Sequence, residues 1–342
     1  MAELLAPAGS LDTVRAAIDA GADAIYLGGK GFNARKFAHN LSDEEMAQAV
    51  RIAHLMGVKI YVTVNILVAD TELSDLTAYL KNLDDLSVDG IIVQDLAVAE
   101  IARRVVPKLP LHGSTQMTVS DLNGVRFLER LGFTQVVLAR ELPLSEIRYI
   151  CAHAHAAIEV FIHGASCMAY SGQCLMSSVL GNRSGNRGKC AQNCRLNYEL
   201  INTGKTISKG HLLSAKDICT LSLLPELLDS GAVSLKIEGR MKTPEYVAGV
   251  TGIYRKYLDL YYSGEEYKVD PEDVRILQQL FNRGSFSTGY LKTHSGSSMM
   301  CPTHPRAWGV KAGQVLSADP KSRHAVVRFS KEMVPGDGIE IR

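Results

Sequence analysis

Short β-branched runs alternate with longer amphipathic stretches through the first 165 residues of the chain. Each run is followed by a turn and then by apolar residues at helical spacing, so the pattern predicts repeated strand–helix units and a parallel sheet. The predicted strands are Glu3–Ala6, Ala24–Leu27, Lys59–Asn65, Gly90–Gln94, Pro110–Gly113, Gln135–Ala139 and Ile158–Ile162. The predicted helices are Leu11–Ala20, Ser42–Met56, Glu72–Leu86, Ala97–Val106, Asp121–Leu131 and Ser145–His155.

The number of units decides between a closed barrel and an open sheet. An eighth strand, Ser234–Ile237, follows a helix-like segment at Ser222–Leu228, and eight units are typical of a barrel. An open dinucleotide-binding sheet would need a Gly-rich fingerprint after the first strand, and Pro7–Ser10 is not one. The sequence therefore predicts an α/β fold, a TIM-like (β/α)8 barrel over residues 1–285.

The pattern breaks between the seventh and eighth strands. Residues 165–198 are rich in Gly, Ser, Cys and Asn, and a hairpin is predicted near Tyr198–Lys205. We interpret residues 165–205 as a Cys-rich insertion after strand 7. Such an insertion lies at the C-terminal face of a barrel, where barrel enzymes carry their active sites.

After the eighth strand, the pattern predicts two helices, Pro244–Tyr262 and Pro271–Phe281, and then three short strands. Three short strands rarely form an independent domain. Residues 305–342 are therefore expected to be the beginning of a small C-terminal β-domain that is cut short. Its strands are predicted at Gly309–Leu316, His324–Phe329 and Gly338–Ile341.

Composition limits where the protein is expected to act and which partners it is expected to bind. The formal net charge is +1, so affinity for nucleic acid or an anionic surface would need a local patch. No apolar run reaches the roughly 18 residues that span a bilayer. The N-terminus also lacks the basic and apolar regions of a signal peptide. We expect a cytoplasmic protein with no membrane partner, in which seven cysteines do not form a disulfide scaffold.

Four cysteines are clustered in the insertion, with six, fifteen and three residues between Cys167, Cys174, Cys190 and Cys194. Thiolates are the usual ligands of zinc and of iron–sulfur clusters, and four of them complete either site. Structural zinc prefers ligand pairs separated by about two to four residues, and only the last pair fits, which favours a cluster over zinc. Cys219 is an alternative fourth ligand, and reduced structural thiols are the alternative to any metal site.

The cysteines lie in a basic segment. Between Val160 and Tyr198 there is no Asp or Glu, whereas three arginines and a lysine are present. Such a patch could offset thiolate charge or bind an anionic substrate, and a solvated basic loop is the alternative. The four residues are Arg183, Arg187, Lys189 and Arg195.

The last barrel strand carries charged residues on one face, because Leu235 and Ile237 alternate with Lys236 and Glu238. Lys236 and Glu238 are interpreted either as a structural ion pair or as catalytic groups. Arg240 follows at the carboxyl end of the strand, where binding residues collect. Polar residues also stand at other strand ends: Asn65, Gln94, Asp95, His112, Ser114, Gln116, Arg140, Glu141, Glu159 and His163.

The segment Glu159–Cys174 resembles the signature of a collagenase-like peptidase family whose mechanism was never assigned. The resemblance continues through Gly185–Cys190, Leu213–Asp217 and Lys236–Arg240. It also includes Leu4–Gly9, so that it covers nearly the whole chain.

The better-understood members of that family are oxygen-independent hydroxylases. Some act on a pyrimidine of tRNA or rRNA with prephenate as the implied hydroxyl donor, and others act in ubiquinone synthesis. They carry a 4Fe–4S cluster, so the resemblance implies that Cys167, Cys174, Cys190 and Cys194 are metal ligands. The continuous Cys190–Cys194 run resembles the RNA-modifying branch.

Our leading hypothesis is therefore an iron–sulfur-dependent hydroxylase of an RNA pyrimidine. A polarised pair of Glu159 and His163 would move protons, and Lys236 and Glu238 are further catalytic candidates. The rival hypotheses are a peptidase and a zinc-stabilised scaffold without catalytic activity. The residues expected to bind RNA phosphate or the carboxylates of the donor are Arg140, Arg183, Arg187, Arg195 and Arg240.

Overall fold

Eight parallel strands close into a barrel in the computed structural model, which describes residues 1–35, 38–292, 296–319, 321–330 and 332–341. The seven strands before the insertion pair in chain order, and strand β11 closes the ring between β7 and β1. The TIM-like (β/α)8 barrel is therefore confirmed. Its strands are β1 Glu3–Pro7, β2 Ala24–Leu27, β3 Lys59–Val64, β4 Gly90–Val93, β5 Leu111–Gly113, β6 Phe133–Val137, β7 Ala157–Gly164 and β11 Ser234–Ile237.

Helices follow the strands and cover the outside of the barrel. One helix begins with a capping box at Ser42, since the Ser42 hydroxyl accepts from the Glu45 amide and the Glu45 carboxylate accepts from the Ser42 amide. The helices are α1 Leu11–Asp19, α2 Asp43–Leu55, α3 Leu73–Asp85, α4 Leu96–Val105, α5 Leu122–Arg130, α6 Leu144–His153, α7 Met176–Gly181, α8 Leu224–Leu228, α9 Pro244–Ser263 and α10 Pro271–Leu280. Within the described ranges, every helix is too short or too polar to span a bilayer.

The barrel has an apolar outer layer and a partly polar interior. One large cluster of buried hydrophobic residues joins the outward faces of the strands to the helices. A second, small cluster contains Leu5, Tyr26, Tyr61 and Ile92. Polar groups are buried on the same strands, so the hydrophobic effect organises the shell, whereas the interior depends on hydrogen bonds and ion pairs.

Two short strands that the pattern did not predict extend the sheet beside β7. Strand β10, Asp217–Cys219, pairs antiparallel with His163 and Gly164 at the end of β7. Strand β12, Phe286–Ser287, pairs parallel with β10. Both are too short for a periodicity of two to be recognised. They bring residues from outside the eight units to the C-terminal face of the barrel.

The insertion contains α7 and a hairpin of β8, Tyr198–Asn202, and β9, Lys205–Gly210. The predicted hairpin is confirmed and extends five residues beyond Lys205. Its turn is formed by Thr203 and Gly204, both with positive φ.

The chain divides into two units, Met1–Trp308 and Gly309–Arg342. The second unit holds an antiparallel pair of β13, Gly313–Asp319, and β14, His324–Phe329. The first predicted strand begins four residues later than expected, because its hydrogen-bonded ladder starts where Gly313 pairs with Phe329. The prediction of a third strand at Gly338–Ile341 is wrong: this segment pairs with no strand in the described part of the chain, and it follows a turn at Gly336 and Asp337.

Candidate functional site

A buried ion pair occupies the barrel interior. The Lys236 Nζ lies 2.6 Å from the Glu159 Oε1, and their side chains are 5% and 0% exposed. The Gln135 amide donates to the other carboxylate oxygen of Glu159 at 2.5 Å. The predicted pairing of Lys236 with Glu238 is therefore wrong. Glu238 lies just beyond the end of β11, after a register irregularity at 236/237, and its side chain takes other partners.

Glu238 lies at the mouth of the barrel between arginines. Its two carboxylate oxygens accept from Arg35 at 3.1 Å and from Arg140 at 3.2 Å. Arg240 is also buried there, and its guanidinium donates to the Thr63 hydroxyl at 2.8 Å. Burial favours protonation of Glu238, but the charges of Arg35, Arg140 and Arg240 outweigh burial and hold the pKa of this carboxyl below its ordinary value.

These three arginines form a cationic pocket, which we call the arginine pocket. Three guanidinium charges face one carboxylate, so the pocket has a surplus of two positive charges. The effect of the surplus charge is seen at Arg240. Burial and then the charge of Arg35 lower the pKa of the Arg240 guanidinium to about 10. Arg35 was not found from the sequence, because nothing in its local pattern indicates that it would meet a residue 203 positions away.

Arg140 connects the arginine pocket to the cysteine-rich insertion. Its guanidinium stacks on the Phe161 ring at 3.9 Å from the ring centroid. It donates to the Ser171 hydroxyl at 3.1 Å and lies 3.8 Å from the Cys167 sulfur. The predicted binding residue Arg140 therefore touches both the pocket and the first cysteine of the insertion.

His163 is buried away from Glu159. Four residues of strand separate the two by roughly 13 Å. The Nδ1 of His163 lies 3.4 Å from the Tyr254 hydroxyl, and its ring contacts Phe286. Burial, and then the charge of Lys242, lower the pKa of His163 to about 3, so the ring is neutral. The predicted Glu159–His163 pair is therefore not formed, and a separate catalytic role for either residue stays a prediction.

The four cysteines of the insertion share one region of the protein. Cys167, Cys174 and Cys190 are exposed, Cys194 is half-buried, and none forms a disulfide. Burial raises the pKa of Cys194; the charge of Arg195 opposes this, and the charges of the other three thiols raise it further. The other three thiols thus all lie within electrostatic reach of Cys194.

Cys219, the alternative ligand, has different neighbours. It lies 3.8 Å from the Tyr254 hydroxyl, on strand β10 opposite His163. Burial raises the pKa of this thiol, and the cysteines of the insertion are not among the groups that shift it. The structure therefore favours Cys194 over Cys219 as the fourth member of the set.

The two kinds of metal site place different demands on the cysteine positions. Four thiolates on one zinc ion, each at about 2.3 Å, would lie within about 4 Å of each other. In the part of the chain that the structure describes, no three His, Cys, Asp or Glu side chains approach closely enough to hold a single metal ion. The ligands of an iron–sulfur cluster bind different irons and lie further apart. The choice between a cluster and zinc on these cysteines therefore stays a prediction.

The insertion is anchored to the loops of the barrel mouth. The Arg187 guanidinium forms a bidentate pair with Glu72 at 2.6 and 2.7 Å, and the Leu67 amide donates to the Asn186 carbonyl at 2.9 Å. The Thr118 hydroxyl donates to the Ser171 carbonyl at 2.6 Å. These contacts hold the cysteines over the barrel.

The arginines of the insertion have different environments. Arg187 is engaged with Glu72, and Arg195 donates to Ser214, to the Ala215 carbonyl and to the Ser166 carbonyl. Both guanidinium groups have partners within the protein, and their expected contact with substrate stays a prediction. Arg183 donates through Nε to the Lys189 carbonyl at the surface.

A second charged group at the same face was missed by the sequence reasoning. The Asp217 carboxylate accepts from Arg283 at 2.6 Å, and the side chain of Asp217 is buried whereas that of Arg283 is 11% exposed. Lys242 lies near them, over the Phe281 ring. Two of these residues could have been found from the sequence, because Asp217 ends the motif Leu213–Asp217 and Lys242 lies two residues after the motif Lys236–Arg240. No motif in the sequence indicates Arg283.

The fold and the site define a (β/α)8-barrel protein with a four-cysteine insertion above its C-terminal mouth. Residues 9–300 match the family described as Peptidase family U32. The chain belongs to this family, which confirms the resemblance.

Curated relatives carry names of two kinds. The chain is 37% identical to tRNA hydroxylation protein P1 of Bacillus subtilis (strain 168), over 99% of this chain and 82% of that protein. It is 39% identical to a 23S rRNA 5-hydroxycytidine synthase of Escherichia coli (strain K12), over 99% of this chain and 52% of that protein, so it spans about half of that relative. A protein named collagenase, from Porphyromonas gingivalis, is 34% identical over 86% of this chain and 74% of that protein.

Proposed function

We propose that this chain is an RNA-modifying enzyme that hydroxylates a pyrimidine of tRNA or rRNA. The observation that carries the proposal is the position of the four cysteines, held above the barrel mouth and joined to the arginine pocket through Arg140. The names of the relatives in Bacillus subtilis and Escherichia coli support an RNA substrate. An enzyme of this kind works where RNA is made and used, so we place it in the cytoplasm.

The cofactor is proposed to be a 4Fe–4S cluster on Cys167, Cys174, Cys190 and Cys194. When bound, such a cluster supplies one-electron transfer. The chain contributes the four thiols and the guanidinium of Arg140, which lies 3.8 Å from the Cys167 sulfur. The contacts of Arg187 and Thr118 keep the loop over the barrel.

The hydroxyl donor is proposed to bind in the arginine pocket. Its surplus of two positive charges matches a dianion, and planar guanidinium groups bind carboxylates through paired hydrogen bonds. Prephenate, the donor that the family resemblance implies, has two carboxylates. Its arrival would compete with Glu238 for Arg35 and Arg140, and the buried Arg240 would contribute the third cation.

The RNA is proposed to approach from the side of the insertion. Arg183 and Lys189 are at or near the surface there, and the exposed hairpin carries Lys205 and Lys209. Phosphate contacts of this type position a nucleic acid without reading its sequence. The target base would enter the mouth beside Cys167, next to the donor.

The peptidase alternative rests on the relative named collagenase. A cysteine peptidase needs an accessible thiol of lowered pKa beside a histidine. Cys219 and His163 are partners across β10 and β7, but burial raises the pKa of Cys219, and His163 is 1% exposed. This pair lacks the properties of a nucleophile and base.

Nucleoside mass spectrometry tests the proposal. Cells that lack the chain are compared with cells that express it, or its Cys167→Ala or Arg35→Gln variants. Hydroxylated pyrimidine is expected with the unaltered chain and with the matched control Lys59→Met, which changes an exposed lysine far from the mouth, but not with the other two variants. Equal hydroxypyrimidine content in all strains would refute the proposed activity.

Iron and sulfide analysis of protein purified without air tests the cofactor separately. We expect about four irons per chain with the unaltered protein and a loss with Cys194→Ser but not with Cys219→Ser. Zinc in place of iron would support the scaffold hypothesis.

A further inference from the structure

The insertion leaves an aromatic ring at the surface beside the barrel mouth. Residues 165–205, all of which the structure describes, contain two tyrosines. Tyr198 is half-buried and donates to the Asn193 carbonyl at 2.8 Å, so it contributes to the local fold. Tyr170 is 49% exposed, and within the described part of the chain its ring stacks on no other ring and its hydroxyl has no hydrogen-bond partner. The face of this ring is therefore available to a ligand.

The backbone that carries the ring is held firmly. The Ser171 hydroxyl accepts from Arg140 at 3.1 Å, and the Ser171 carbonyl accepts from the Thr118 hydroxyl at 2.6 Å. The Gln173 amide donates to the Tyr170 carbonyl at 3.0 Å, and the Gln173 side chain donates to Thr118 at 3.1 Å. Because the turn is already ordered, a ligand that stacks on Tyr170 loses little free energy in ordering it.

The ring also lies close to the cysteines. Tyr170 is three residues from Cys167, and Arg140, which lies 3.8 Å from the Cys167 sulfur, donates to the residue that follows Tyr170. Burial, and then the charges of Glu141 and Tyr170, raise the pKa of Tyr290, so these three groups share one side of the mouth. A planar ligand on this ring would lie beside the cysteine loop and the loop after β6.

The charge around the ring suits a polyanion. The insertion carries Arg183 and Lys189, and no Asp or Glu occurs between Val160 and Tyr198. Glu141 is only 8% exposed, so it presents little of its charge to a ligand. Cations together with an exposed aromatic ring are typical of sites for single-stranded nucleic acid, in which the phosphates meet the cations and a base stacks on the ring. A duplex cannot use such a ring, because its base faces are covered by their neighbours.

We propose that Tyr170 is a stacking residue for an unpaired base of the RNA, and that the enzyme therefore takes single-stranded segments in preference to duplex. This inference rests on the RNA substrate of the proposed function. The base lies on the ring of Tyr170, and the adjacent phosphates lie toward Arg183 and Lys189. The stacked nucleotide is thereby held beside Cys167. Tyr170 binds and orients the base and exchanges no atom or electron with it.

Fluorescence anisotropy with a labelled oligouridylate of about ten nucleotides tests the inference on the cluster-loaded chain, in about 0.1 M salt without air. Tyr170→Ala should weaken binding by about 5- to 150-fold, the loss expected for one stacked base, and Tyr170→Phe should stay within about twofold of the unaltered chain. The matched control is Tyr149→Ala, which removes a ring that is 53% exposed on α6, outside the barrel, and should bind like the unaltered chain. Binding of an RNA duplex should not depend on Tyr170.

A Tyr170→Trp variant reports stacking directly and does not depend on the folding of the alanine variant. Its added emission should be quenched by the oligouridylate but not by inorganic polyphosphate, which carries the charge without the bases; the unaltered chain supplies the background of its single tryptophan, Trp308. Equal affinity of Tyr170→Ala and the unaltered chain, or equal quenching by polyphosphate, would overturn the inference. If nucleoside mass spectrometry still showed hydroxylation by the unaltered chain, the proposed function would stand without it. Tyr170-dependent binding without any hydroxylation would refute the activity alone.

Discussion

Replacing Lys236 by methionine should destabilise the barrel by leaving the Glu159 carboxylate buried without its cation. The two charged atoms are 2.6 Å apart, and the Glu159 side chain is fully buried. Removing one partner of such a pair costs about 3–5 kcal/mol, because an uncompensated charge stays in a medium of low dielectric constant. The loss of the lysine from the face of Tyr26, 4.4 Å away, adds about 1–2 kcal/mol at most.

The control is a surface pair with a similar separation. Lys59 lies 3.2 Å from Glu3, but its side chain is 57% exposed. Lys59→Met should cost less than about 1 kcal/mol, since Lys59 is largely solvated and Glu3 keeps the hydrogen bond from the Tyr61 hydroxyl when the pair is broken. The comparison isolates burial, because both variants replace a paired lysine by methionine on a barrel strand.

Urea unfolding followed by circular dichroism measures both variants. For Lys236→Met, a cost of about 3–5 kcal/mol corresponds to a melting temperature lower by roughly 6–20 °C. The double variant Glu159→Gln with Lys236→Met removes both charges and should cost clearly less than the sum of the two single variants. If Lys236→Met cost no more than Lys59→Met, the reasoning from burial would be refuted.

Two further predictions concern the insertion and the pH dependence of stability. Gly172→Ala should reduce the iron bound per chain after anaerobic reconstitution. Gly172 has φ +87°, and an added Cβ would overlap the Gln116 carbonyl oxygen. The control Gly181→Ala, which has open space around its Cβ, should leave the iron content unchanged. The pKa of His163 is about 3 in the folded state and about 6.5 in the unfolded state, so below about pH 6.5 only the unfolded state binds the extra proton. The free energy of unfolding therefore falls as the pH drops below about 6.5, by up to about 1.4 kcal/mol per pH unit. In His163→Phe this part of the slope should be absent from urea midpoints measured between about pH 7 and pH 4, and an equal slope in both proteins would contradict it.

Several features of this protein follow from the sequence because they depend on local patterns. Alternation along each strand and helical spacing between strands require a parallel sheet, and the return of the pattern at Ser234–Ile237 requires an eighth unit. The cysteines of the insertion are close in the chain, so their proximity needs no knowledge of distant contacts. The alternation of Lys236 with Leu235 likewise indicates which side chains face inward.

The partners of those inward side chains depend on the closed barrel. Lys236 meets Glu159 from β7 because β11 closes the ring there, and Glu238 meets Arg35 because the loop after β2 folds over the mouth. The sequence also could not indicate that Arg283, through β12, would reach Asp217. Periodicity encodes the face on which a residue lies, whereas closure and strand register decide which faces meet. The composition of the pocket was therefore determined only by the tertiary structure.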